Sequence, residues 1–311
     1  MTLTENTVLL RLEFGRFGNS KEGDKSKIST EADKGRLRLS KVLFDCPQYE
    51  AVQRFDNELR AWVLARAIQV DLGFRGVYVL PVSLLAQVEE HLSAAVIARD
   101  GVVMAFVEVY NAQRETARAK LANQFRESDY PDVSEAARAF RLRWRYVTFE
   151  VPENLPPEIL AREQAEHAAA FADMSSQVRE ALRETLSGLL GHLSERLAPT
   201  ADGQRKIFRD SCVSNLVEFL ELFESRNVTG DGELSALATK AKALVTTCVP
   251  EHLRNKGRQG EDLRTTVATE AGSLKAAVDG LIETERRRRF NFEDDSGTGP
   301  AAPAAVPDAA A

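Results

Sequence analysis

Two stretches of this 311-residue chain, 82–126 and 158–197, each run for about forty residues without a proline. Read as one helix, the first would be on the order of 65 Å long, about twice the width of a compact domain. Its residues Leu85, Val88, Leu92, Ala95, Val102, Phe106 and Val109 fall on a near-heptad stripe, with Arg99 as the interruption. Such a rod cannot bury its stripe alone and needs a partner of similar length. The 158–197 rod is its natural antiparallel companion. Aromatic residues make up only 7% of the chain, which favours helix-on-helix packing over large sheets. The expected class is therefore mainly α with a small β-sheet (α+β). An elongated long-helix hairpin or coiled-coil arm would sit on a two- or three-stranded sheet, followed by a helical C-terminal bundle.

The sheet is read from three places where apolar residues alternate with a period of two. Residues 7–14, "TVLLRLEF", are one. Residues 75–80, in "GFRGVYVLP", are a second, and 145–151, "RYVTFEV", a third. A helix over 48–72 carries Val52, Phe55, Leu59, Trp62 and Val63 at three- and four-residue steps and stops at Gly73. Pro81, lacking an N–H, suits the start of the long helix. Residues 15–38 read as a polar, glycine-punctuated, mobile loop. Further helices are expected from Asp132, at about 203–227 and 232–248 behind caps Asp202 and Asp231, and over 251–290. "PENLPPE" breaks the chain, dividing it into 1–152, 153–292 and a disordered Ala/Pro-rich tail, 293–311.

Charge and motifs exclude several activities. The net charge of −6 is uneven: 22 Lys+Arg face 21 Asp+Glu up to residue 152, and 19 face 26 beyond it. This argues against a dedicated nucleic-acid binder. Three distant cysteines (Cys46, Cys212, Cys248) fit reduced thiols, and the N-terminus lacks a signal-peptide pattern, so a cytoplasmic protein is expected. The most apolar window, 92–110, is broken by Arg99, Asp100 and Glu108, short of a membrane span. In "GNSKEGDKSK", Gly18 and Gly23 have phosphate-loop spacing. Asp24, however, intrudes where a carboxylate would repel phosphate. The four histidines match no metal-site spacing. Cys46, at a helix start, reads as a small apolar residue rather than a reactive thiol. No cofactor, metal or catalytic set is implied.

What remains is surface for partners. The basic loop offers Lys25, Lys27, Arg36 and Arg38, and the junction segment offers Arg75 and Tyr78. At the far end, "ERRRRFNF" places Arg286, Arg287, Arg288 and Arg289 at a helix terminus, where they offset the helix dipole and offer a contact to an acidic partner.

The order "SKVLFDCPQYEAVQRFDNELRAWVLARAI…GFRGVYVLPVSLLAQVEEHL", closed by "RLRWRYVTFEVP", resembles the bacterial and phage proteins grouped as domain of unknown function 3150. Ser40-Lys41-x-Leu43, Gly76-x-Tyr78-x-x-Pro81 and the strand 145–151 carry the likeness, over the first half to two-thirds of the chain. That family is often encoded on mobile elements beside MoxR-type AAA+ ATPases and von Willebrand factor A proteins. The resemblance implies a non-enzymatic accessory or adaptor protein with such partners, and leaves oligomerisation open. The alternatives are a membrane-active helical protein and a nucleic-acid-handling protein using Arg286–Arg289.

Overall fold

The structure, a computed structural model, describes residues 6–72, 76–148, 151, 154–200, 204–255 and 257–290, with 286–290 described by their backbone alone. The chain forms β1 (Thr7–Gly15), β2 (Ser20–Glu22), β3 (Ser40–Val42), α1 (Pro47–Leu64), β4 (Ile68–Gln69) and β5 (Val77–Pro81). Then come α2 (Leu85–Leu121), α3 (Val133–Ala139) and β6 (Arg141–Val147). The rest is helical: α4 (Pro157–Leu197), α5 (Ser211–Arg226), α6 (Gly232–Thr247), α7 (Pro250–Arg254) and α8 (Arg258–Phe290). The protein is mainly α with a small antiparallel sheet.

That sheet has the order β4-β5-β1-β6, with every neighbouring pair antiparallel. It is an interior layer rather than the base of an arm. Alternation along β1 and β5 sends side chains to opposite faces. Leu10, Leu12, Tyr78 and Leu80 pack with Leu59, Val63, Val88 and Leu92 of α1 and α2. Leu9, Val77 and Val79 join Ile68 and Val70 against the core of α4 and α5, including Val178, Leu182 and Phe219. All five residues of β5 are buried. The short extended segment is thus the central wall between the two helical layers. Gly76 makes its entry: its φ is +80°, and a Cβ there would lie 2.8 Å from the Leu12 carbonyl oxygen. Leu12 N–H donates to Gly76 O at 3.0 Å.

Several expectations need correction. The 48–72 helix stops at Leu64, because Ile68 and Gln69 leave it to pair with Val79 and Tyr78. The third strand is Arg141–Val147 rather than 145–151, and residues 149, 150, 152 and 153 lie outside the described residues. The loop 15–38 is organised. It carries one strand of the β2–β3 ribbon and is pinned to the end of α2. Asp24 N–H donates to Gln124 Oε1 at 2.7 Å, and Gln124 Nε2 returns to Asp24 O at 2.9 Å. Lys41 Nζ reaches Gln124 O at 2.6 Å and Asp129 at 2.7 Å. Beneath this cover lies an aromatic cluster in which Phe44 stands 5.0–5.7 Å from Phe17, Phe106, Tyr110 and Tyr130.

The stripe on α2 is also not a heptad. Its buried residues Val88, Leu92, Ala95, Arg99, Val103, Phe106 and Tyr110 repeat every eleven residues, as Val88, Arg99 and Tyr110 show. That period, about 3.67 residues per turn, keeps a nearly straight helix seated on one side. Arg99 belongs to the stripe instead of breaking it. It is 1% exposed, donating to Asp56 Oδ1 (Nε, 2.7 Å) and Oδ2 (Nη2, 3.2 Å) on α1.

The two long rods do not pair with each other. α2 packs on α1, and α4 pairs with α8. The α4–α8 seam is antiparallel: Arg183 donates to Leu281 O, Ser187 to Asp279, and Ser194 to Ala268 O at 2.8 Å. Arg183 also binds Asp231 at 2.7 Å, while Asp231 caps α6 by accepting from Leu234 N–H at 3.0 Å. Asp132 caps α3 in the same way through Ser134 N–H at 2.8 Å. Asp202 and the tail 293–311 lie outside the described residues.

Candidate partner-docking site

The sheet that lies between the helical layers also leaves one row of charges in the open. β6 is the edge of the sheet among the described residues, with β1 as its neighbour on one side and no described strand on the other. Its register pairs Arg145 with Arg11, Arg143 with Glu13 and Arg141 with Gly15. Because strand side chains alternate, Arg141, Arg143 and Arg145 share one face with Arg11 and Glu13. All five are exposed, and at Gly15, opposite Arg141, the chain closes tightly: a Cβ there would lie 2.7 Å from Ala139 O. Arg11 pairs with Glu13 at 2.7 Å. Among the described residues no carboxylate pairs with Arg141, Arg143 or Arg145. The result is a comb of three exposed guanidinium groups, without an ion pair among the described residues although Glu13 stands opposite Arg143, spaced by two residues, about 7 Å apart.

The opposite face holds the comb rigid. Leu142 and Trp144 pack into the α1–α2 layer. Trp144 Nε1 donates to Glu89 Oε2 at 2.9 Å, and the Tyr146 hydroxyl donates to the same oxygen at 2.6 Å. Burial, and then the bond and charge of Glu89, push the Tyr146 hydroxyl well above its ordinary pKa, so it stays a donor. Chemically, three exposed guanidinium groups along a strand can bind carboxylates along an extended chain.

Other candidates fare differently. Lys25 and Lys27 sit in a turn capped by Asp24, whose carboxyl is held low by two hydrogen bonds from Ser26. Lys27 Nζ is spent on Asn123 O at 2.8 Å. Arg36 lies 3.8 Å from Asp33 in the next turn, and Arg38 is exposed beyond it. Of these residues, Lys27 is placed beside the C-terminal end of α2 by its bond to Asn123. Tyr78 is 3% exposed inside the α1–α2 layer, so a partner does not reach its side chain. Arg75 lies outside the described residues, as do the side chains of Arg286, Arg287, Arg288 and Arg289, whose backbone continues α8. Cys46 caps α1 from a buried position. His91 stacks on Trp62 at 3.6 Å. Among the described residues no group of three acidic, Cys or His side chains is placed to hold a metal ion. No helix among them is long and apolar enough to cross a membrane, and the 92–110 window buries one face of α2 while leaving Ile97 and Met104 exposed. The comb itself stands in the sequence as R-x-R-x-R in "RLRWR", visible only once those residues are read as a strand.

No family model matches this chain, no curated protein matches it, and no solved structure matches it. The resemblance described above therefore rests on its quoted residues.

Proposed function

We propose that this chain is a non-enzymatic adaptor that docks an acidic, extended segment of a partner protein along the edge of β6. The observation that carries this reading is the unpaired row Arg141, Arg143 and Arg145 on an open sheet edge. A segment added beside β6 would take main-chain hydrogen bonds from the edge and place acidic side chains, at alternate positions, over the three arginines. The partners nominated by the sequence resemblance are a MoxR-type AAA+ ATPase and a von Willebrand factor A protein.

The reading is tested by titrating the purified chain with each of these proteins at two salt concentrations. The expected result is binding that weakens with salt and falls by about tenfold or more in R141E/R143E/R145E. Trp144 and Tyr146 are left intact, so near-ultraviolet circular dichroism should not change. Binding at unaltered affinity in the triple variant, or no binding to either partner, overturns the proposal.

A further inference from the structure

A second site lies where the two helical layers meet beside the sheet. The C-terminal end of α1, β4, and the facing sides of α4 and α5 enclose a cleft of about 490 Å³. That volume is in the range of small-molecule sites. Its walls are largely hydrocarbon, from Ala61, Leu64, Ile68, Leu189 and Phe219. Two charged side chains line it, Glu218 near the rim and Arg226 at the end of α5, the latter only 6% exposed.

Arg226 is poorly satisfied. Its Nε is buried with no hydrogen-bond partner, and its Nη2 makes a long 3.4 Å contact to Leu64 O. Phe219 lies under the guanidinium at 5.5 Å. The nearby carboxylate, Glu218, is half-exposed and pairs with a different arginine, Arg66, at 3.5 Å. Arg66 likewise has a buried Nε without a partner. Glu218 is thus committed to Arg66 and reaches Arg226 only by longer-range charge; Arg226, the deeper cation, has no carboxylate within ion-pair distance among the described residues. Burial pulls the Arg226 guanidinium down to about 10, which still leaves it cationic at neutral pH. A buried cation without a counter-ion is costly, and a buried unmade hydrogen bond adds to that cost.

We propose that this cleft binds an organic carboxylate with an apolar body, its head group on Arg226 and its hydrocarbon along Leu64, Leu189 and Phe219. The guanidinium fork suits a carboxylate, and the walls offer little to a bare inorganic anion. The site is independent of the β6 edge and stands or falls apart from it.

The experiment is isothermal titration of the full chain with octanoate, octanol and inorganic phosphate. Octanoate should bind about tenfold or more tightly than octanol, the difference made by a charge-assisted hydrogen bond, and phosphate should not compete. Arg226→Met should erase the preference for octanoate. Thr185→Trp supplies a second variant at an exposed residue of the cleft wall and should block octanoate without altering the thermal unfolding midpoint. Equal binding of octanol and octanoate, displacement of octanoate by phosphate, or wild-type octanoate affinity in Thr185→Trp each overturns the proposal. Should Arg226→Met fail to fold, the Thr185→Trp result decides.

Discussion

Asp56 is the residue on which the N-terminal layer depends. It is fully buried and accepts from Arg99 on α2, while Arg16 Nε lies 3.1 Å from its Oδ2. Arg99 also donates to Gly15 O at 3.0 Å, so one carboxylate links α1, α2 and the end of β1. Removing it leaves a buried guanidinium without a counter-charge. Asp56→Ala should therefore cost about 3–5 kcal/mol of folding stability in urea unfolding, whereas Asp56→Leu combined with Arg99→Leu should cost far less. A second residue-scale effect concerns pH. His91 lies against Trp62, with Arg66 over the same ring at 3.8 Å. Burial first, and the Arg66 charge second, lower its pKa below the ordinary 6.5. The unfolded chain therefore takes up the proton first, and stability falls as pH drops through 6.5 towards the lower folded value. Above that window His91 contributes no slope. Comparing urea midpoints at pH 7.5 and 5.5 should show a smaller acid loss in His91→Phe, which keeps a ring on Trp62 but cannot titrate.

At the scale of elements, α4 is two helices in energetic terms. Its first buried residue is Met174, and from there Val178, Leu182, Leu186, Leu190 and Leu193 line the core. Residues 157–173 are exposed or half-buried. Phe171 packs against the core, but a helical stretch with so little tertiary packing is marginal in water. Backbone amides across 160–172 should exchange with deuterium orders of magnitude faster than those across 178–193. Uniform protection along α4 would contradict this. The extent of α4 is legible in the sequence, as 158–197 against the observed Pro157–Leu197, because proline and helix-forming composition act locally. Its partner was not. Apolar stripes on α2, α4 and α8 are interchangeable as hydrophobic surfaces, and the choice is made by contacts distant in sequence, such as Arg183 with Asp231 and Glu285. Strands β1 and β5 were legible through their two-residue period. β4 was hidden because two residues carry no period, and Arg99 was misread because its partner, Asp56, lies 43 positions away. The arginine comb was overlooked for a related reason. Alternate arginines look like scattered surface charge until a strand aligns them.

For the molecule as a whole, the doubly covered sheet makes the two helical layers mutually dependent. Cutting after residue 148 would strip Leu9, Ile68, Val70, Val77 and Val79 of their cover from α4 and α5. Five such side chains represent about 10 kcal/mol of burial, comparable with the entire stability of a typical domain. The full chain should therefore unfold in a single calorimetric transition, and fragment 1–148 should bind a hydrophobic dye and lack near-ultraviolet dichroism. A natively folded fragment, or two well-separated transitions, would refute this coupling.

The open border of β6 has one more implication, this time for crowding. Were two molecules to meet border to border about Arg143, Arg143 would face Arg143 and Arg141 would face Arg145 of the other copy, and like charges directly opposite repel. The row thus discriminates against the chain's own kind: it discourages fibre growth by strand stacking while staying receptive to polyanions. Neutralising it, by mutation or by high salt, should turn a well-behaved solution into one prone to self-association.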